Sequence, residues 1–163
     1  MRLTLLRVAS IVGIGGSLLA VAVPAFVNAL SASKLTEALD GLDHIANHAV
    51  AGAESRKQEE SFPPSVELTP KEVARGARVV DPPETWDHLT WRALDFHPEG
   101  AHAFSFQFDS THDAVSGVSR FAATAHGDLD GDGSWSTFQV QGERTPGGAA
   151  KVLPGLLVSR ELE

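Results

Sequence analysis

The chain has 163 residues, a formal net charge of −8 and no cysteine. Its length allows one domain, or one small domain with a membrane segment. The acidic balance argues against a nucleic-acid partner, because phosphate backbones attract basic surfaces. The lack of cysteine excludes disulfides, thiolate metal sites and cysteine nucleophiles. The sequence has no nucleophile elbow, phosphate loop or paired acid–base motif, so we do not expect an enzyme.

Residues 1–33 are distinctive because they contain no acidic side chain and carry no charge after Arg7. Their apolar run is longer than the roughly 20 residues that a helix needs to cross a bilayer. Arg2 and Arg7 both precede the run, and the positive-inside tendency then leaves the N-terminus in the cytoplasm. We therefore expect residues 1–33 to be the transmembrane half of a helix, which anchors a periplasmic head to the inner membrane by a single pass.

A cleaved secretory signal peptide is the alternative interpretation of the same segment. Two arginines, an apolar stretch and small residues near Ala29 and Ala32 are the parts of such a signal, although its apolar stretch usually has only about 7–15 residues. Cleavage would release a secreted module. Residues 34–163 hold 11 Lys and Arg against 21 Asp and Glu, a formal charge of −10, and acidic surfaces suit hard cations such as Ca²⁺.

Residues 34–56 are predicted to form the amphipathic half of the helix, because their apolar residues recur at spacings of three and four. No proline interrupts residues 25–60. One helix is therefore predicted from Val8 to Arg56, roughly 70 Å long at about 1.5 Å per residue, with a kink at Pro24. The apolar positions of the second half are Leu35, Ala38, Leu39, Leu42, Ile45, Ala46, Ala49 and Val50.

The N-terminal sequence resembles the first helix of type IV pilins and type II secretion pseudopilins. The residues that carry the resemblance are Leu3-Thr4-Leu5-Leu6, Gly16 and the run from Ala20 to Phe26. The resemblance implies an α+β fold in which a long N-terminal helix packs on a small antiparallel β-sheet. It also implies a structural, membrane-anchored subunit of a type IV pilus or a secretion pseudopilus. The partners would then be the inner membrane and other pilin-like subunits, contacted through the N-terminal helix in a surface filament.

Two positions depart from the pilin pattern. Arg2 stands where the prepilin peptidase requires a glycine, and Arg7 stands where the family has a glutamate that neutralises the terminal amine of a neighbouring subunit. Both departures concern processing and assembly. The resemblance therefore implies a minor or degenerate subunit.

The rest of the chain divides into a Pro-rich connecting region, residues 57–100, and an antiparallel β-sheet head, residues 101–163. The connecting region is predicted to contain one short helix over residues 71–75, and Trp86 and Trp91 are predicted to pack it onto the core. In the head, alternating or β-prone segments predict four strands. These strands lie near Phe104–Phe108, Arg120–Ala125, Ser134–Val140 and Gly155–Ser159.

A single motif in the head indicates metal chemistry. Asp128, Asp130 and Asp132 alternate in the loop 128–134 and are followed by Gly133 and Ser134. This spacing is that of the opening of an EF-hand-type loop, in which alternate carboxylates converge on one Ca²⁺ ion.

The ligand set of that loop is not complete in the sequence. The Ser134 carbonyl and the Ser136 side chain could supply further ligands, but Gln139 stands where the EF-hand has its bidentate glutamate. An Asp-Gly-Asp-Gly segment is also a good hairpin turn without any ion. Calcium is thus the expected cofactor, with Asp128, Asp130, Asp132 and Ser134 as ligands, and a plain turn remains the alternative.

Overall fold

The computed structural model describes residues 35–159. Its longest helix, α1, covers residues 35–53 and is followed by a 3₁₀ turn at Gln58–Glu60. The later elements are, in chain order, β1 (Val66–Thr69), a 3₁₀ turn (Pro83–Trp86), α2 (Leu89–Ala93), β2 (Phe104–Asp113), β3 (Val118–Gly127), β4 (Ser136–Arg144), β5 (Ala150–Val152) and β6 (Leu157–Ser159).

The strands form one antiparallel sheet in the order β1-β2-β3-β4-β5, and β6 also pairs with β4. Strands β2, β3 and β4 follow one another along the chain and pair over most of their length, as short links favour. The four predicted strands correspond to β2, β3, β4 and β6 and are confirmed. Sequence analysis missed β1 and β5, which have only four and three residues.

We call the side of the sheet that α1 covers the core face. Alternate residues of the three long strands point to it and are buried, as the two-residue period requires. Gly41 of α1 lies so close that a Cβ atom added there would be 2.7 Å from the Phe106 ring. The buried residues of the core face are Phe104, Phe106, Phe108, Phe121, Ala123, Ala125 and Phe138, and those of α1 are Ala38, Leu42, Ile45, Ala46, Ala49 and Ala53.

The C-terminal end of α1 is held by a cation from β4. Arg144 Nη1 donates hydrogen bonds to the carbonyl oxygens of Ala53 at 2.7 Å and Arg56 at 3.0 Å. Helix C-termini leave carbonyl groups without intrahelical partners and carry a partial negative charge. Arg144 therefore supplies a charged donor to the Arg56 carbonyl oxygen and a second donor to the Ala53 carbonyl oxygen, which also accepts from Arg56 N at 3.1 Å.

The connecting region packs through its tryptophans, which confirms their predicted role. Trp91 is fully buried and donates to Thr69 Oγ1 at 3.0 Å. Trp86 is 6% exposed and donates to Asp81 Oδ2 at 2.9 Å. Both indoles also contact the Phe96 ring, so this region adds an aromatic layer to the core.

The short helix predicted over residues 71–75 is wrong. The backbone forms bends there and a single bridge from Arg75 to Asp128. Gly76 has a positive φ of 60° and donates its N–H to the Asp128 carbonyl oxygen at 2.8 Å. The bridge from Arg75 and the hydrogen bond from Gly76 N to Asp128 take the place of helical hydrogen bonds at the end of this segment.

The predicted pilin-like layout, with one long N-terminal helix on a small sheet, is also wrong. Residues 35–159 form mostly antiparallel sheet, and the longest helix among them, α1, has 19 residues. This helix ends at residue 53, not at the predicted Arg56. Arg144 binds the carbonyl oxygens of Ala53 and Arg56 at this end. The predicted transmembrane half, residues 1–33, lies outside the described residues.

The membrane assignment needs the same correction. Within residues 35–159, no helix has both the length and the apolar character that a membrane span requires. The assignments to the inner membrane, to a pilus and to a secretion system are therefore not retained. Most of the apolar positions predicted for the amphipathic half of the helix are buried in the core of the domain, which confirms that part of the prediction.

Candidate metal centre

The Asp-rich loop connects β3 to β4 at the end of the sheet where Gly127 pairs with Ser136. Asp128 begins the loop and is 2% exposed. Its two carboxylate oxygens accept hydrogen bonds from Gly131 N at 2.8 Å and Gly133 N at 3.1 Å. A buried carboxylate needs such donors, because losing its hydration without compensation is costly. The carboxyl group of Asp128 is thus held in place beneath the loop.

The other two carboxylates turn toward the same place. One oxygen from each of Asp128, Asp130 and Asp132 lies within 4.8 Å of the others. Asp130 Oδ1 accepts from Asp132 N at 3.1 Å, and Asp132 Oδ1 accepts from Ser134 N at 2.6 Å. In each of these hydrogen bonds, the donor is the backbone N–H two residues further along the chain, and it orients the aspartate side chain. The three aspartates therefore converge as their alternate spacing predicts.

Two glycines permit the turn that brings the carboxylates together. Gly131 and Gly133 have φ values of 85° and 93°, in the left-handed region that disfavours other residues. The neighbouring segment braces the base of the loop through the hydrogen bond from Gly76 N to the Asp128 carbonyl. The backbone conformation of the two glycines and this hydrogen bond from Gly76 together hold the loop in its shape.

Convergence of three carboxylates gives this loop a concentrated negative charge. Two unit charges about 4 Å apart repel by about 1 kcal/mol in bulk water and by more near a protein surface. Asp130 and Asp132 are exposed, while Asp128 is buried. Each carboxylate oxygen in a hydrogen bond keeps a second lone pair for another partner. A hard divalent cation could use these lone pairs and would remove the repulsion.

The further ligands considered from the sequence have different positions. Ser134 follows the three aspartates, and its N–H is used by Asp132. Gln139 donates to Thr124 Oγ1 at 3.0 Å on the sheet, so it does not replace the missing glutamate of the loop. Ser136 is 1% exposed, and its Oγ has no hydrogen-bond partner within the described residues. Of the named candidates, the structure brings together the three aspartates.

An aromatic pair adjoins the loop where β4 begins. The rings of His126 and Trp135 lie 5.4 Å apart, and His126 Nδ1 is 2.9 Å from Thr137 Oγ1. Burial lowers the pKa of His126 below its ordinary value of 6.5, because desolvation disfavours the imidazolium form. The sequence predicted only that Trp135 belongs to a strand. The position of Trp135 beside His126 follows from the register between β3 and β4.

Neither a protein-family model, nor a curated protein, nor a solved structure matches this chain. Function must therefore be argued from the geometry of its own residues.

Proposed function

We propose that this protein is a calcium-binding module whose site is the loop 128–134. The observation that carries the proposal is the convergence of Asp128, Asp130 and Asp132 within 4.8 Å on a loop fixed by its own backbone hydrogen bonds. A preformed loop needs little ordering when it binds an ion. Little of the binding free energy is then lost to ordering the chain.

The proposed ligands are one oxygen from each aspartate and the Ser134 carbonyl, and water completes the shell. Ca²⁺ takes six to eight oxygen ligands in flexible geometry, whereas Mg²⁺ demands a near-ideal octahedron and loses its water reluctantly. The absence of a bidentate glutamate lowers the expected affinity. We expect a Kd in the range of about 10⁻⁴ to 10⁻³ M, typical of extracellular modules.

Such an affinity suits a protein that works outside the cytoplasm. The apolar segment of residues 1–33, with its small residues near Ala29 and Ala32, supports export through a cleaved signal peptide. The formal charge of −10 on residues 34–163 also favours cation binding. We therefore propose an exported module, and we do not assign it a catalytic role.

Thermal unfolding of the full chain with and without calcium tests the proposal. A ligand that binds only the folded state stabilises it by about 2.7 kcal/mol when its concentration is 100 times Kd. For a Kd of about 10⁻⁴ M, we expect Tm to rise by several degrees in about 10 mM CaCl₂. Calorimetric titration should give the same Kd, and MgCl₂ should have a smaller effect.

Two matched variants separate a calcium site from a plain turn. Asp132→Asn keeps an oxygen that can accept from Ser134 N but removes one converging charge, and it should weaken Ca²⁺ binding about tenfold. Asp113→Asn is the control, because Asp113 accepts from Val115 N at 2.9 Å and Ser116 Oγ at 2.6 Å in the β2–β3 turn. A wild-type Tm unchanged by calcium, or an equal response of both variants, would contradict the proposal.

A further inference from the structure

The side of the sheet opposite the core face carries an ordered set of polar side chains, which we call the polar face. Strand register places these side chains in rows across β2, β3 and β4, for example Gln107 beside Thr124 and Gln139. Its residues are Gln107, Asp109, Arg120, Thr124, His126, Thr137, Gln139, Gln141 and Glu143.

Side-chain hydrogen bonds link the amides and hydroxyls of the polar face. Gln139 Nε2 donates to Thr124 Oγ1 at 3.0 Å, and Gln141 Nε2 donates to Gln139 Oε1 at 3.0 Å. Gln107 Nε2 donates to Asp109 Oδ2 at 2.7 Å. These bonds fix the positions of the side chains, while each amide keeps a second N–H or a second lone pair. The face therefore presents oriented donors and acceptors.

The polar face carries little net charge, in contrast to the acidic protein around it. Glu143 lies 3.8 Å from Arg120 and 3.4 Å from Lys151 of β5. Asp109 and Asp113 of β2 lie on the same side of the sheet, so three acids face two bases, a formal charge of −1. The chain as a whole carries −8. This face therefore offers no excess positive charge to an anionic ligand.

Two apolar side chains flank the polar rows. Trp135 is 44% exposed and lies against His126 of the polar face. Leu157 is 57% exposed and pairs in register with Gln139, so its side chain is on the same side of the sheet. A shallow hollow of about 150 Å³ lies further along, with Asp109 and Gln141 in its lining. Indole rings left exposed beside polar groups are typical of binding surfaces.

From this arrangement we propose that the polar face binds a neutral oligosaccharide. A sugar ring has an apolar C–H surface that stacks on an exposed aromatic ring, and its hydroxyl groups both donate and accept hydrogen bonds. Trp135 supplies the aromatic ring, and Thr137, Gln139 and Gln141 supply amides and hydroxyls along the same strand. Along β4, six residues at about 3.3 Å each separate Trp135 from Gln141, roughly 20 Å. That length suits a chain of several sugar rings.

A protein partner fits the surface less well. Protein interfaces have an apolar centre and a polar rim, whereas this face has polar rows with its exposed apolar residues, Trp135 and Leu157, beside them. An anionic polysaccharide lacks a complementary charge, because both bases of the face, Arg120 and Lys151, are already paired with Glu143. A neutral polyhydroxyl ligand agrees with both observations.

Affinity electrophoresis of the full chain tests the proposal, with soluble β-glucan, galactomannan, xylan and dextran as probes. We expect at least one of them to retard the protein, and calorimetry with its hexasaccharide should show binding that persists in about 0.5 M NaCl, since no ion pairs are formed. Trp135→Ala should weaken this binding about tenfold. Trp135→Phe should restore most of it, because the ring is kept.

The matched control is Val115→Ala, which truncates an apolar side chain of the β2–β3 turn that is even more exposed than Trp135, at 98%. It should leave binding unchanged. Failure of all four polysaccharides to bind, equal affinity of the Trp135 and Val115 variants, or a dimer that Trp135→Ala dissociates would overturn the proposal. The proposal does not use the bound ion, so oligosaccharide binding in EDTA supports it even where the calcium titration fails.

Discussion

The two faces of the sheet are built from the same three strands but differ in chemistry at every alternate residue. On the core face, rings such as Phe106 and Phe96 lie 4.9 Å apart and exclude water. On the polar face, the half-buried Gln139 donates a hydrogen bond to Thr124, which is 7% exposed. Packing of the fold therefore depends mainly on the core face, and the polar face is the one that we propose for recognition.

Energetic scales support this division. Burying a Phe side chain contributes about 1.5–3 kcal/mol, and a typical hydrogen bond contributes about 0.5–1.5 kcal/mol net. Exposed ion pairs such as Arg120–Glu143 contribute less than about 1 kcal/mol. Substitutions on the core face should therefore change stability, and those on the polar face should change binding.

Neighbouring residues of β2 give the largest contrast. Phe106 is 2% exposed on the core face, and Phe106→Ala should reduce the free energy of unfolding by about 3–5 kcal/mol, because it removes a buried ring and leaves a cavity. Gln107→Ala, one residue along and on the polar face, should cost less than about 1 kcal/mol. Urea unfolding measures both, and equal losses would contradict the division between the faces.

Two arginines of adjacent strands give the second contrast. Arg144→Gln removes the guanidinium that binds the end of α1, and charged hydrogen bonds of this kind contribute about 1.5–3 kcal/mol. Arg120→Gln breaks only a 3.8 Å ion pair on the polar face and should cost less than about 1 kcal/mol. Hydrogen exchange at the end of α1 should increase in the first variant alone. Unchanged exchange there would show that Arg144 does not hold the helix.

Two glycines of α1 test how closely the helix approaches the core face. Gly41→Ala gains helix propensity of up to about 1 kcal/mol, but the new methyl group meets the buried Phe106 ring at 2.7 Å. Overpacking costs about 1–3 kcal/mol, so a net loss of about 1 kcal/mol is expected. Gly52→Ala meets only Arg56 at 3.7 Å and should gain about 0.5 kcal/mol. A stabilising Gly41→Ala would mean that the helix lies further from the sheet.

The sequence predicted those parts of the fold that follow from local periodicity. The alternation of Phe104, Phe106 and Phe108 identified β2, and the three- and four-residue spacing around Leu42 and Ile45 identified the buried side of α1. It did not identify β1 or β5, because three or four residues carry too weak a pattern. The pilin-like layout was wrong for the described residues, where α1 covers only residues 35–53, because an apolar run alone cannot tell a membrane span from another segment.

The candidate sites show the same limit. The alternate spacing of Asp128, Asp130 and Asp132 was sufficient to predict that their carboxylates converge, because all three lie in one loop. The orientation of Gln139 depends on its pairing with Thr124, a residue from another strand. The polar face was not predicted at all. Its rows exist only after β2, β3 and β4 adopt one register.

The smallest expected effect concerns His126, which joins the polar face to Trp135. Burial lowers the pKa of His126 in the folded chain, so the unfolded chain binds its proton first as the pH falls below 6.5. The contribution of His126 to stability is complete above that pH and is lost as the pH falls through the folded pKa. From about pH 7.5 to pH 5.5, wild type should therefore lose more unfolding free energy than His126→Gln. The other six histidines are present in both proteins, so the difference between the two losses isolates His126. Equal losses would mean that the His126 ring is not desolvated beside Trp135.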